Sequence, residues 1–326
     1  MADKRLDLIK TWLKNDLKLS VDNIVPASAD ASFRRYFRVT TQLGTSIVMD
    51  APPEKESIRE FIDIDQQLRL LGVHAPEIKA QNLEDGLLLL EDFGNRTYLN
   101  ELKNNADQLY SDAVDALLKI QQGSIINAGI PNYSAEKLSE EMSLFEDWYL
   151  ARHLNIEIDQ DMSKAWEACQ TTLISACLEQ PQVWVHRDYH SRNLMITDNE
   201  SPGVIDFQDM VIGPITYDLA SIFKDCYIEW PRHQQMQWLE QYREKANLTL
   251  GIELEQAQLQ RWYDLTALQR HLKVLGIFCR LYYRDGKDQY LNDLPLVAKY
   301  TLEALDLYPE LSDFKQHFAT SIQRAL

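Results

Sequence analysis

Between Val183 and Ile196 the chain reads VWVHRDYHSRNLMI, and VIDFQD follows at 204–209. Asp188 is followed five residues later by Asn193, and Asp206 comes after a further apolar run. An aspartate beside an alcohol can orient the hydroxyl and take its proton as the oxygen attacks a γ-phosphate. An amide oxygen and a second carboxylate are hard donors of the kind Mg²⁺ accepts while it stays bound to nucleotide phosphates. Each residue alone reads as a turn residue at the surface. Together, each after a strand-like apolar segment, they predict ATP-dependent phosphoryl transfer: Asp188 is the catalytic residue, Asn193 and Asp206 the metal ligands, ATP and Mg²⁺ the cofactors.

Neighbouring residues take their expected roles from this set. His186 and His190 lie four apart in the loop without the HExxH context of a zinc site, and His186 reads as a packed residue that fixes the loop. Tyr189, His190, Arg192, Gln208, Asp209, Asp225 and Trp230 are in reach by sequence as contacts of the acceptor. Trp230 reads first as core and second as a stacking platform for a sugar face. Asp218, in GPITYDLASI, reads as a helix cap or as a buried partner of the loop backbone. A literal Asp92-Phe93-Gly94 precedes the catalytic loop, whereas the metal-binding aspartate of kinases follows it. After the apolar run Leu87–Leu90, this tripeptide suits a hinge where backbone groups of Leu90, Glu91, Asp92 and Phe93 pair with adenine.

A phosphate clamp is harder to find. Glu60 sits on a helix after the second strand, where kinases place the partner of a phosphate-binding lysine. That lysine is missing, because the strand ends Ile47-Val48-Met49-Asp50, and the segment ASADASFRRYF ahead of the hairpin has no glycine loop. Arg34, Arg35 and Arg38 are the candidate replacement cations.

These residues need elements to hold them. The first 95 residues predict a helix, a hairpin (Phe33–Thr41 and Thr45–Ala51), a helix over 54–71 with apolar residues at helical spacing, and a buried strand at Leu87–Leu90. From Thr97 the pattern is helical, interrupted by Val183–Val185, Leu194–Thr197 and Gly203–Ile205 as one local sheet, with a tight turn at Gly213-Pro214. Trp262, Leu265, Leu268, Leu272 and Leu275 form a core stripe on a late helix. The fold class expected is α+β and bilobal: a small antiparallel-sheet N-lobe over 1–95 that binds nucleotide, and a large, mainly helical C-lobe over 96–326 carrying the catalytic loop 183–210 and a helical region 231–326.

Composition narrows the class. With 326 residues, 45% of them hydrophobic, the chain can bury about two domain-sized cores. A formal charge of −17 excludes a nucleic-acid partner of the phosphate-neutralising kind and leaves room for a cationic acceptor. No apolar run is long enough for a membrane helix, and the charged N-terminus lacks a signal peptide's core, so a cytoplasmic location is expected, with no membrane and no obligate protein partner. Cys169, Cys177, Cys226 and Cys279 show no ligand pairing and read as reduced, buried thiols.

The catalytic string (His186, Asp188, Asn193), Ile205-Asp206-Phe207 and Tyr217-Asp218-Leu219-Ala220 together resemble the aminoglycoside phosphotransferase family, over most of the chain from the Phe33 hairpin onward. That resemblance implies a protein-kinase-like fold. The longer strings DASFRRYFRV (30–39), VMDAPPE (48–54), PGVIDFQD (202–209) and GPITYDLASIFKDCYIEWP (213–231) resemble its branch of anomeric amino-sugar kinases in bacterial cell-wall recycling. It implies the C1 hydroxyl of N-acetylmuramate or N-acetylglucosamine as the acceptor. Aminoglycoside or amino-alcohol acceptors, of the choline or homoserine type, and a silent, partner-binding pseudokinase remain the alternatives. The chain departs from the broad family at Arg187, which stands where glycine is usual. It departs from protein kinases in the short path from Asp206 to Gly213-Pro214.

Overall fold

The computed structural model describes residues 3–28, 34–126 and 129–324. The chain runs α1 (Lys4–Thr11), β1 (Val21–Ser28), β2 (Arg35–Thr41), β3 (Gly44–Asp50), α2 (Arg59–Leu70), β4 (Ile78–Asn82) and β5 (Leu87–Glu91). There follow α3 (Tyr98–Gln121), α4 (Ala135–Leu144), α5 (Gln160–Leu178), β6 (Gln182–Val185), β7 (Leu194–Met195), β8 (Gly203–Val204) and β9 (Val211–Pro214). The last elements are α6 (Tyr217–Phe223), α7 (Arg232–Thr249), α8 (Gln256–Asp285), α9 (Leu294–Leu305) and α10 (Ser312–Gln323). This is an α+β fold of two compact units: residues 1–97 with 194–208, and residues 98–193 with 209–326.

The first unit is a five-stranded antiparallel sheet in the order β1-β2-β3-β5-β4. Ile9, Trp12 and Leu13 of the N-terminal helical segment bury against Phe37, Val39, Val48, Leu87 and Leu89, the inward residues of alternating strands. Both strands beyond the sequence expectation are edges. β1 carries Pro26, which only an edge strand tolerates, and β4 (IKAQN) is mostly polar. The helix expected over 54–71 begins only at Arg59, past turns that follow Pro52-Pro53. Phe33 lies outside the described residues, as do residues 29–32 of the glycine-free segment.

Residues 194–208, expected in the helical lobe, join the sheet unit instead. β7 pairs with β8, Ile196 N–H donates to Arg96 O (2.8 Å), and Val204 N–H donates to His74 O (2.9 Å). The single local sheet is therefore two ribbons, because β6 pairs with β9 (Val185↔Val211, Gln182↔Pro214). The Gly213-Pro214 turn is the end of a strand, where proline's missing N–H costs no ladder bond.

The second unit is a helical assembly around α8, a 30-residue helix buried on every side from Trp262 to Gly276. The expected stripe Trp262, Leu265, Leu268, Leu272 and Leu275 is buried. Its four leucines pack with Phe145, Trp166, Phe314 and Phe318 in the main core. α4 passes into a π-helical turn (Phe145–His153) where it meets Gly276 of α8. All four cysteines are free and buried, and burial pushes the thiols of Cys177, Cys226 and Cys279 up to about 12. Among the described residues no helix is long and apolar enough to cross a membrane.

The crossing at Gly276 yields a prediction. A Cβ there would sit 2.2 Å from Leu144 C and O, backbone that no rotamer change can move. Gly276→Ala is expected to destabilise the protein by about 1–3 kcal/mol or more through overpacking. A denaturant melt checks it, and an unchanged midpoint would show that α4 shifts freely.

Candidate active site

The catalytic loop, 186–193, leaves the buried strand β6 and is pinned by its own backbone. Asp218, in the first turn of α6, accepts His186 N–H through Oδ2 (2.7 Å) and Arg187 N–H through Oδ1 (3.0 Å). Asp218 is thus the buried partner of the loop. Burial pushes its carboxyl up to about 7, while the two N–H groups pull it down. Arg187, between the clamp and Asp188, has φ +75°, a left-handed conformation that favours glycine and costs a side chain of order 1 kcal/mol. A second clamp is Asp225, which accepts Ser191 N–H (2.9 Å) and Tyr227 N–H (3.1 Å). His190 N–H (3.0 Å) and Asn193 Nδ2 (3.0 Å) both donate to Asp188 O. The Asn193 amide nitrogen thus turns toward the loop, and its oxygen is the donor type a hard cation takes.

Beneath the loop lies a buried polar network. Glu141 of α4 pairs with Arg187 and with Lys273 of α8 (Nζ–Oε2 2.9 Å), and it accepts the Tyr133 hydroxyl. Lys273 also donates to Tyr217 Oη (3.3 Å), and the Arg187 guanidinium lies 5.7 Å from the Tyr133 ring centre. Burial works to raise the Glu141 carboxyl, but Lys273 and then Arg187 hold it below the usual range. The same holds for Asp188. Burial opposes ionisation, yet Lys273, ahead of His190, Arg270 and Arg187, keeps the carboxyl below its ordinary value. The half-buried Asp188 is therefore a carboxylate at neutral pH, ready to accept a hydrogen bond from a hydroxyl.

Asp206 belongs to the sheet unit and has φ +69°, the second left-handed side chain among the motif residues. Gln208 Nε2 donates to its Oδ1 (2.9 Å), and the buried Phe207 ring packs 4.8 Å from Phe61 of α2. Gly203, three residues earlier, lies against Phe93, where a Cβ would meet the ring at 2.7 Å. An open groove in this unit is lined by His74, Glu91, Asp92, Phe93, Thr197 and Glu200, among others.

Several sequence expectations for the nucleotide change here. Glu60 is solvent-exposed, so it is not the buried partner of a phosphate cation; the buried acid of α2 is Asp65. Arg35 is committed to carboxylates, donating to Asp50 (2.7 and 3.0 Å) and to Asp3 (2.6 Å). Asp50, at the strand position where the lysine was sought, is fully buried and held also by Arg5. Arg38 grips Asp92 with two bonds (2.6 and 2.8 Å), and Arg34 pairs with Glu56. Leu90 is a buried residue of an inner strand, flanked by Ile47 and Ile78, which leaves Glu91, Asp92 and Phe93 at the strand's end and in the groove.

The acceptor candidates also divide. Tyr189 is fully buried and its hydroxyl donates to Ala113 O (2.8 Å), so it anchors the loop and does not face a ligand. Asp225 is likewise buried, with both oxygens engaged by backbone N–H groups. Gln208 holds Asp206, and Asp209 is exposed with its carbonyl accepting Arg187 Nη1 (3.2 Å). Trp230 joins an aromatic cluster, donating to Tyr110 Oη (2.7 Å) and lying edge-on to Trp238. His190 remains beside Asp188, and exposed Arg192 stacks on Tyr227 (3.5 Å to the ring centre).

Sequence reasoning missed Glu141, Arg270 and Lys273. The available signal was on α8, where Thr266, Arg270 and Lys273 share a face of a helix that has no exposed side in this stretch. If Lys273 holds Asp188 ionised, Lys273→Met will make the Asp188 carboxyl titrate at higher pH than in the wild type. Carboxyl-carbon NMR titration reads this, and an unmoved Asp188 resonance would remove Lys273 from that role.

The model of the phosphotransferase enzyme family matches residues 23–259. An N-acetylmuramate/N-acetylglucosamine kinase of Pseudomonas aeruginosa is 41% identical, over 99% of this chain and 98% of its own length. The protein of that name from Neisseria meningitidis is 36% identical, over 93% and 92%. Among solved structures, an ethanolamine kinase of Plasmodium vivax superposes with a TM-score of 0.66 at 14% identity, covering 92% of this chain and 90% of that one. An ADP-bound aminoglycoside phosphotransferase gives 0.57 at 14%, covering 92% and 97%; both show the likeness of fold. The chain belongs to the phosphotransferase enzyme family.

Proposed function

We propose that this chain is a cytoplasmic kinase that uses ATP and Mg²⁺ to phosphorylate the anomeric hydroxyl of N-acetylmuramate and N-acetylglucosamine in peptidoglycan recycling. The observation that carries the reading is the Asp188 carboxylate, kept ionised by Lys273 on a loop whose backbone is fixed by Asp218 and Asp225. The acceptor follows from the relatives that bear this name across nearly the whole chain.

In this reading Asp188 accepts a hydrogen bond from the C1 hydroxyl and aims its oxygen at the γ-phosphorus. The new O–P bond forms as the bond from phosphorus to the β–γ bridging oxygen breaks. ADP leaves, and the hydroxyl proton passes to the Asp188 carboxylate. Asn193 and Asp206 would hold Mg²⁺; the inward-turned Asn193 amide nitrogen and the Gln208 bond to Asp206 fit two fixed oxygen donors. When bound, the ion screens charge on the phosphates. Glu91, Asp92 and Phe93 are assigned to adenine, and Arg34, paired with Glu56 ahead of α2, to the phosphates.

Incubation with Mg-ATP and either N-acetyl sugar is expected to release ADP and consume reducing ends one for one. Kanamycin and choline are expected to give neither. ADP release with kanamycin alone would overturn the acceptor, and no turnover on any compound would favour a binding protein. Asp188→Asn is expected to lower kcat about 10²- to 10⁴-fold, the range of a lost general base, with ATP affinity unchanged. Wild-type turnover by that variant would remove Asp188 from the mechanism.

A further inference from the structure

Arg270 is 3% exposed, and no hydrogen bond or ion pair engages its guanidinium among the described residues. Its Nη1 is buried without a partner. A charged donor in that condition forfeits a bond that an arginine rarely leaves unmade. Its direction follows from the helix. Thr266, one turn before it, bonds Thr216 Oγ1 (2.9 Å), and Lys273, one turn after, bonds Tyr217 Oη (3.3 Å). Arg270 lies between them on the face that meets the start of α6, beneath the catalytic loop. Asp188 and Asp225 are among the acids that keep its guanidinium charged. Further buried polar atoms of that loop lack partners, among them Arg187 Nε, His190 Nδ1 and Ser191 Oγ.

The charges decide what is missing. Around Asp188, the cations Arg187, Arg270 and Lys273 face the acids Asp188, Asp225 and Glu141, and Asp218, pushed up to about 7 by burial, is a fourth acid. The cluster has no spare positive charge, so another carboxylate would be buried uncompensated. What Arg270 lacks is a hydrogen-bond acceptor, not a negative charge.

We propose that Arg270 binds the acceptor sugar through a neutral oxygen common to both amino sugars, a ring hydroxyl or the acetyl carbonyl, and does not pair with the lactyl carboxylate. This rests on the sugar-kinase reading above. Arg270 is then a binding residue that gives the two sugars a shared foothold beside Asp188, with His190 and Ser191 offering further polar contacts.

The test is steady-state kinetics of the full-length wild type, Arg270→Gln and Arg270→Lys on both sugars, with thermal melts and ATP affinity alongside. Arg270→Lys keeps the charge, which guards against a variant that fails to fold. The expected result is a rise in KM of about 10- to 100-fold, by a similar factor for N-acetylglucosamine and N-acetylmuramate, at unchanged ATP affinity. A rise confined to N-acetylmuramate would overturn the proposal in favour of the carboxylate. Loss of kcat or of melting temperature at unchanged KM, in both variants, would overturn it in favour of a purely structural role. Absence of wild-type turnover on either sugar is a different failure, that of the parent reading, and would take this proposal with it.

Discussion

The Asp188 carboxylate stays ionised while half shielded from water, and the charges of the helical unit are arranged around that constraint. Desolvation alone would protonate Asp188. The compensation is a buried lysine and two arginines, and these in turn need Glu141 and the hydroxyls of Tyr133 and Tyr217. Side chains of such length reach the loop only from a helix with no exposed side nearby, which is the place of α8. Its polar face is therefore as much a part of the core as its leucines. Removing one member would leave a charge buried alone, which is why the network is more sensitive than its modest net energy implies.

Backbone geometry carries the second part of the arrangement. Arg187 and Asp206 both occupy the left-handed region without being glycine, one just before Asp188 and one at the metal-ligand candidate. Such residues persist only where the surroundings over-determine them. At Arg187 the surroundings are visible: Asp218 takes two successive N–H groups, and the guanidinium is tied to Glu141 and the Asp209 carbonyl. This explains how an arginine fills a position that suits glycine in the broad family.

Much of this was legible in the sequence, and the limits have physical causes. The motif residues, the hairpin, the inner strand at Leu87 and the stripe on α8 all followed from period and order. Edge strands escaped because β1 contains proline and β4 has a polar face, both normal at an edge and misleading in a window. β9 escaped because Gly213-Pro214 spells a turn as readily as a strand end. Tyr189 and Asp225 were expected at a ligand because they are polar and near the motif. Whether a polar side chain near a loop points outward or ties the loop down depends on partners far along the chain, such as Ala113, which spacing does not reveal. The same blindness hid Glu141, Arg270 and Lys273.

The tripeptide Asp92-Phe93-Gly94, a look-alike by its order in the chain, has a mechanical bearing on the aspartate it imitates. Its phenyl ring rests on the bare Cα of Gly203, and from there the backbone runs only three residues to Asp206. His74 closes the other side of the ring, edge-on at 4.6 Å, and its carbonyl bonds the amide of Val204. The strand end and this segment are thus joined through a ring packed between Gly203 and His74 at the edge of the groove. A shift of the Phe93 ring would press on the backbone at Gly203, three residues ahead of Asp206, so the end of β5 and the turn that carries Asp206 share one packing contact.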